Sequence, residues 1–242
     1  MDRSNDAELS SIGVQESDSP SESTSRPPST RVVVDRREQI ILAAEQLFAI
    51  HGYHAVSIRD IAEKAGVQFA LVGYYYGPKK DLYYAIFERW SGLLKTRLEN
   101  LQRIVGDTDK PLGPRQLRNI VSAFVSPVLA MRRSSEGEWY AQLIARGIGG
   151  ESEEGARVVS EFFDPLAKAY IAAFQACYPQ ASLGRCAWAY QFALGSLVHH
   201  LTDRRVARLS NFSEFPQHAS AEPMLIDFIV SGVRTVLTNH ES

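Results

Sequence analysis

The chain has 242 residues, 45% of them hydrophobic, and its 26 basic and 28 acidic side chains leave a net charge of −2. That is enough for one small and one larger domain, each with its own core. No apolar run approaches the ~18 residues of a membrane span, and the first twenty residues lack the apolar core of a signal peptide, so no membrane partner and a cytoplasmic location are expected. Cys177 and Cys186 show no CxxC or Cys/His pattern and read as two buried thiols, so neither a metal, a cofactor nor a disulfide framework is expected.

Residues 1–33 are rich in Ser, Pro, Asp and Glu and poor in aromatics, the composition of a disordered tail. Charge is uneven along the chain: residues 1–30 carry two basic and six acidic side chains, 31–104 eleven and eight, and 105–242 thirteen and fourteen. The positive excess falls on the second segment, as a nucleic-acid contact would require. Arg26, Arg31, Arg36 and Arg37 stand where an arm could enter a minor groove; for Arg26 and Arg31 a solvated linker is the alternative. Asp35 and Glu38 form a capping pattern that puts Arg36 and Arg37 in a first helical turn, where an external phosphate is favoured.

Ser57 to Leu82, SIRDIAEKAGVQFALVGYYYGPKKDL, is the most informative stretch. Ser57 and Asp60 make a capping box, after which Ile58, Ile61, Ala62 and Ala65 form one apolar stripe and Arg59, Asp60, Glu63 and Lys64 face water. Gly66 supplies a left-handed cap. A second short helix, Gln68 to Tyr74, follows at once and turns Val67, Leu71 and Val72 inward, which is the layout of a helix-turn-helix. Pro78 starts another helix, and Lys79 and Lys80 crowd cations onto its positive end, an arrangement that an external phosphate would favour. Tyr74, Tyr75 and Tyr76 offer hydroxyls to phosphate oxygens.

Arg37 through Leu82 resembles the N-terminal domain of the TetR (tetracycline-repressor-like) transcriptional regulators, with Val67 to Lys79 similar to the family's signature stretch. The resemblance implies a first helix over Asp35 to Gly52, packed through Ile40, Ala44, Leu47 and Phe48, and a recognition helix over Gln68 to Tyr74. It implies a double-stranded, palindromic DNA operator as partner, met by Arg36, Arg37, Ser57, Arg59, Gln68, Phe69, Ala70, Gly73, Tyr74, Tyr75 and Lys79. Gln68 is the best candidate for a base contact, because its amide can pair with adenine through two hydrogen bonds. The domains expected are a tail (1–33), a helix-turn-helix domain (34–82) and a helical effector-binding and dimerisation domain (83–242).

One long helix is expected from Lys79 to about Val105, with Leu82, Ile86, Trp90, Leu94, Leu98 and Leu101 on one face. Five more follow: Pro114–Met131, Ser135–Gly147, Ser152–Cys177, Leu183–Asp203 and Ala221–Asn239. Strand signals are confined to Val32-Val33-Val34, so the fold class is all-α.

The later helices carry more aromatics than a minimal core requires, and Pro127 and Pro165 should kink their helices and open space between them. An effector pocket is expected there for an unknown small molecule, with candidate lining residues Phe124, Trp139, Leu143, Arg146, Phe163, Tyr170, Phe174 and Trp188. Ordinary core packing is the alternative for each aromatic, and an interdomain salt bridge for Arg146. The family's homodimer interface corresponds to the last two long helices, through Trp188, Phe192, Gly195, Ser196, His199, Phe228, Ile229 and Val233. The chain shows no catalytic motif and is not expected to be an enzyme. A helical adaptor without operator binding is the alternative to a repressor that releases DNA on binding its effector.

Overall fold

The computed structural model describes residues 35–106, 112–147 and 152–238. The expected tail, with Arg26 and Arg31, lies outside them. Helix α1 (Arg36–His51) starts at Asp35, whose carboxylate accepts the Arg37 N–H at 2.9 Å. Ile40, Ala44 and Phe48 are fully buried along its inner face, each large one contributing about 1.5–3 kcal/mol of transfer free energy.

Helix α2 (Ile58–Ala65) begins with the capping box complete: the Ser57 N–H donates to the Asp60 carboxylate at 2.7 Å and the Asp60 N–H to the Ser57 hydroxyl at 3.2 Å. Gly66 closes it at φ +63°, a conformation that costs a side-chain-bearing residue about 1–2 kcal/mol. Two residues later comes α3 (Phe69–Tyr76), with Gln68 at its N-cap and Val72 turned inward.

The single helix expected over 79–105 is two. Helix α4 (Lys79–Arg89) follows Pro78 at its N-cap, and α5 (Ser91–Gly106) begins after Trp90, which sits at φ −90° and ψ 1°. Periodicity continues across the break, but Ser91 and Gly92 are weak helix formers, and Trp90 is held by two side chains outside its own helix: it donates to Glu45 of α1 and stacks on Tyr140. Tertiary contacts decide where the helix yields.

Next come α6 (Leu117–Met131), which contains Pro127, and α7 (Ser135–Gly147). The turn between them is tight enough that a Cβ on Gly137 would stand 2.1 Å from the Met131 carbonyl oxygen. The stretch 152–177, expected as one helix, holds α8 (Glu153–Val158), a π-helical turn over Val159–Phe163, and α9 (Asp164–Cys177). Pro165 has no N–H for the carbonyl one turn before it, and the chain widens ahead of it rather than breaking. Helices α10 (Leu183–Thr202), a short α11 (Val206–Leu209) not foreseen from sequence, and α12 (Ala221–Thr238) complete the described residues. Among these there is no strand, and no helix is long and apolar enough to cross a membrane.

Two hydrophobic cores result. One joins α5, α6, α9, α10 and α12 and holds both buried cysteines. The other joins α1 to α4, runs past the expected boundary at Leu82 through Tyr83, Ile86 and Phe87, and is completed by Tyr140, Leu143 and Ile144 of α7 and Val158 of α8.

Candidate nucleic-acid interface and effector cavity

Helix α3 turns Val72 under and leaves Gln68, Phe69, Ala70, Gly73, Tyr74 and Tyr75 exposed together. The Gln68 amide makes no capping bond, so its donor and acceptor are free. Phe69 is 57% exposed, with the Arg59 guanidinium 6.0 Å from its ring centre, and Tyr74 and Tyr75 lie edge to face at 5.2 Å. Large apolar side chains gathered in one exposed patch mark a contact surface. At its rim, Arg36 donates to the Gln39 side chain at 3.0 Å, and Arg37 lies over the Tyr76 ring at 5.5 Å. The Tyr76 hydroxyl donates to the Arg37 carbonyl at 2.9 Å, which ties the end of α3 to the start of α1.

Two of the expected DNA contacts are already engaged within the chain. The Ser57 hydroxyl accepts from the Asp60 N–H and donates to its carboxylate; the Ser57 backbone N–H and that hydroxyl, both donating to the carboxylate, hold the Asp60 carboxyl below its ordinary pKa. Lys79 is half-buried; its ammonium donates to the carbonyls of Tyr53 and Val56, each at 3.0 Å, and lies 4.3 Å from the centre of the Tyr53 ring. Lys79 therefore fastens the α1–α2 turn to α4, and the exposed ammonium at this helix end belongs to Lys80. No local spacing could reveal carbonyls more than twenty residues away.

Helices α10 and α12 pack on each other and leave a common outer stripe. Trp188, Phe192 and Phe228 are 60%, 56% and 68% exposed, with Gly195, Ser196 and His199 in line on α10. Ile229 and Val233 are buried in the protomer's own core, which removes both from the expected interface.

A cavity of about 340 Å³ lies between α5, α6, α7, the π-helical turn, α9 and α10. Of the eight residues expected to line an effector pocket, Phe163 alone lines this cavity, while Leu143 and Arg146 border a separate surface hollow. Phe124, Tyr170 and Phe174 are core; Leu143 and Trp139 pack with the N-terminal helices; Trp188 is on the outer stripe; and Arg146 is exposed beside a surface hollow at the end of α1.

The residue missed is Arg97, which lines this cavity, is only 5% exposed, and leaves Nε and Nη2 buried without a hydrogen bond. Its contact is with the Phe124 ring, 4.6 Å away. A desolvated cation–π contact returns about 2 kcal/mol, short of the several kcal/mol that burying an unpaired ion costs. Burial accordingly depresses the guanidinium pKa. Tyr140, another residue of the cavity lining, likewise keeps its hydroxyl buried without a partner, and burial pushes its pKa upward. The sequence did carry a signal for Arg97: it lies three residues after Leu94 and four before Leu101, inside the apolar stripe of α5.

Tyr140 also faces the other core. The Trp90 indole stacks on its ring at 4.7 Å with planes 13° apart. Arg89 connects three carboxylates, reaching Glu38 at 2.8 Å, Glu136 at 2.6 Å and Glu45 at 3.6 Å. Glu45 itself is buried, and desolvation lifts its pKa to about 7 despite the Trp90 hydrogen bond and Arg89.

Residues 40–86 match the family described as bacterial regulatory proteins, tetR family, and residues 122–232 the one described as tetracyclin repressor-like, C-terminal domain. The chain is 35% identical over 78 residues to the HTH-type transcriptional activator FasR of Mycolicibacterium smegmatis, covering 29% of this chain and 36% of that one. It is 32% identical over 102 residues to the HTH-type transcriptional regulator HbdR of Aromatoleum sp., covering 42% of each. The chain thus matches less than half the length of either relative. The crystal structure of FadR from Bacillus subtilis in complex with stearoyl-CoA superposes with a TM-score of 0.55 at 16% identity, over 81% of this chain and 98% of that one, a likeness of fold. With the two family matches spanning well over half of its length, the chain belongs to the TetR family of bacterial regulatory proteins.

Proposed function

We propose that the protein is a homodimeric regulator of transcription that acts in the cytoplasm as a repressor and releases a palindromic operator when a small molecule enters the cavity beside Arg97. The exposed face of α3 carries this reading: Gln68, Phe69, Ala70, Gly73, Tyr74 and Tyr75 stand clear of the protein's own core, on a helix whose pose is fixed by the Ser57 cap, the Gly66 turn and the Tyr76 bond to α1. A two-fold pairing through the outer stripe of α10 and α12 would set two such helices about one duplex turn, ~34 Å, apart. The solved FadR neighbour holds stearoyl-CoA, which supports a small-molecule ligand within this fold.

The route from cavity to DNA runs through Tyr140, Trp90 and Glu45, three side chains in contact that belong to α7, the α4–α5 break and α1. A ligand that prefers one arrangement of Tyr140 shifts the population of α1 poses by its differential affinity for them. The test is selection of binding sites from random duplex DNA by the full chain, followed by affinity measurements over a salt series. A palindromic consensus is expected, with affinity falling linearly on a log–log salt plot. No enrichment and no binding at low salt would leave a helical adaptor as the reading.

A further inference from the structure

The geometry points to the chemical class of the effector: the cavity between α5 and α10 takes a monocarboxylic acid with an apolar body, whose carboxylate sits on the Arg97 guanidinium and the Tyr140 hydroxyl. This rests on the reading of that cavity as the effector site and specifies what fills it. The two Arg97 nitrogens without partners, Nε and Nη2, form one edge of the guanidinium, whose parallel N–H bonds match the two oxygens of a carboxylate. Tyr140 adds a third donor.

Those atoms offer donors, so the complementary group is an anionic acceptor rather than an amine or an amide N–H. The acid facing the cavity, Asp164, makes no ion pair with Arg97, and the nearest aromatic face, Phe124, cannot serve as a two-oxygen partner. Tyr190 and Gln191 are the other polar side chains on the wall; the rest is largely apolar, including Leu93, Val128, Ile144 and Phe163. A volume of about 340 Å³ lies at the small end of ligand pockets. A medium-length acyl or arylalkyl acid fits that space, whereas a coenzyme A thioester has a neutral carbonyl where the fork needs two anionic oxygens and a nucleotide too large to enclose.

The test uses the full chain and titration calorimetry with decanoate and phenylacetate, against decanol, decanamide and decanoyl-coenzyme A. At least one carboxylate should bind, at least about tenfold tighter than its neutral analogue. Arg97→Met should remove that preference, so that decanol binds as well as decanoate, and Arg97→Lys should recover only part of it because an ammonium cannot form the paired contact. Tyr140→Phe, which keeps the ring and deletes the donor alone, should weaken the carboxylate while leaving the neutral analogue unchanged, and far-UV circular dichroism should show all variants folded. The assignment is overturned if neither carboxylate binds, if the thioester binds more tightly than the free acid, or if carboxylate binding survives Arg97→Met. Operator binding, followed in parallel, separates the two readings: DNA binding without carboxylate binding defeats the ligand class alone, and carboxylate binding that leaves operator affinity unchanged defeats the ligand-responsive regulator alone.

Discussion

Trp90 donates its indole N–H to the buried carboxyl of Glu45 across 2.8 Å and so joins the break between α4 and α5 to the first helix. The bond does not offset the loss of water around Glu45, whose pKa rises from 4.5 to about 7. The unfolded chain releases this proton near 4.5, so between about 4.5 and 7 the folded protein retains a proton that the unfolded one has lost. Stability from this group therefore falls as pH rises through that window.

The loss should be about 3 kcal/mol in full. Glu45→Gln keeps an acceptor for Trp90 and removes the titration. Urea midpoints for the parent should drop between about pH 5 and about pH 7.5, and the drop should shrink in the variant. Equal drops in both proteins would assign the dependence to other groups.

Gln68→Ala should lose about 1–3 kcal/mol of binding, confined to one base pair in each half-site, and should relax the preference there. Affinities across a set of single-substitution operators read this directly. A uniform loss over all of them would place Gln68 on the phosphate backbone.

Lys79 and Lys80 are neighbours in sequence with different work. Lys80→Ala should lower the salt slope of operator binding by about one and leave the thermal midpoint in place. Lys79→Ala strips the Tyr53 and Val56 carbonyls of their shared donor and should cost about 1–3 kcal/mol of stability. A Lys79 variant with parental stability and a reduced slope would reverse the assignment.

Gly195 has nothing within 4 Å of where a Cβ would stand, so an arginine fits the isolated protomer. At a two-fold contact the same side chain would bury an unpaired charge, at a cost of several kcal/mol. Gly195→Arg should sediment as a monomer with its helicity kept and bind a palindrome far more weakly. An intact dimer would move the interface elsewhere, and a monomer that binds the palindrome as well as the parent would end the two-fold reading.

What could be read from sequence was whatever local chemistry writes. The Ser57–Asp60 box, the Gly66 cap and the α3 surface follow from residues a turn apart. The break at Trp90 did not, because it answers to Glu45 and Tyr140, forty-five residues before and fifty after. Helix α12 shows a different difficulty: Phe228 and Ile229 are both apolar, and periodicity alone does not tell which of two adjacent stripes faces the protomer's own core and which faces outward. Arg97 poses a related problem, since an arginine inside an apolar stripe shows that it is buried against Phe124 only once the helices around it are in place.

Tyr140, Leu143 and Ile144 lie more than fifty residues beyond the helix-turn-helix yet finish its core. The DNA-reading head is thus not an interchangeable part. A hybrid regulator that grafts residues 34–82 onto a foreign body would leave Phe48 and the inner face of α1 without Tyr83, Phe87 and the α7 side chains that cover them, unless the graft also brings the whole of α4 and that face of α7. Head and body of this chain are matched to each other, and sequence drift in α7 must be compatible with α1 as well as with the cavity that Tyr140 and Ile144 line.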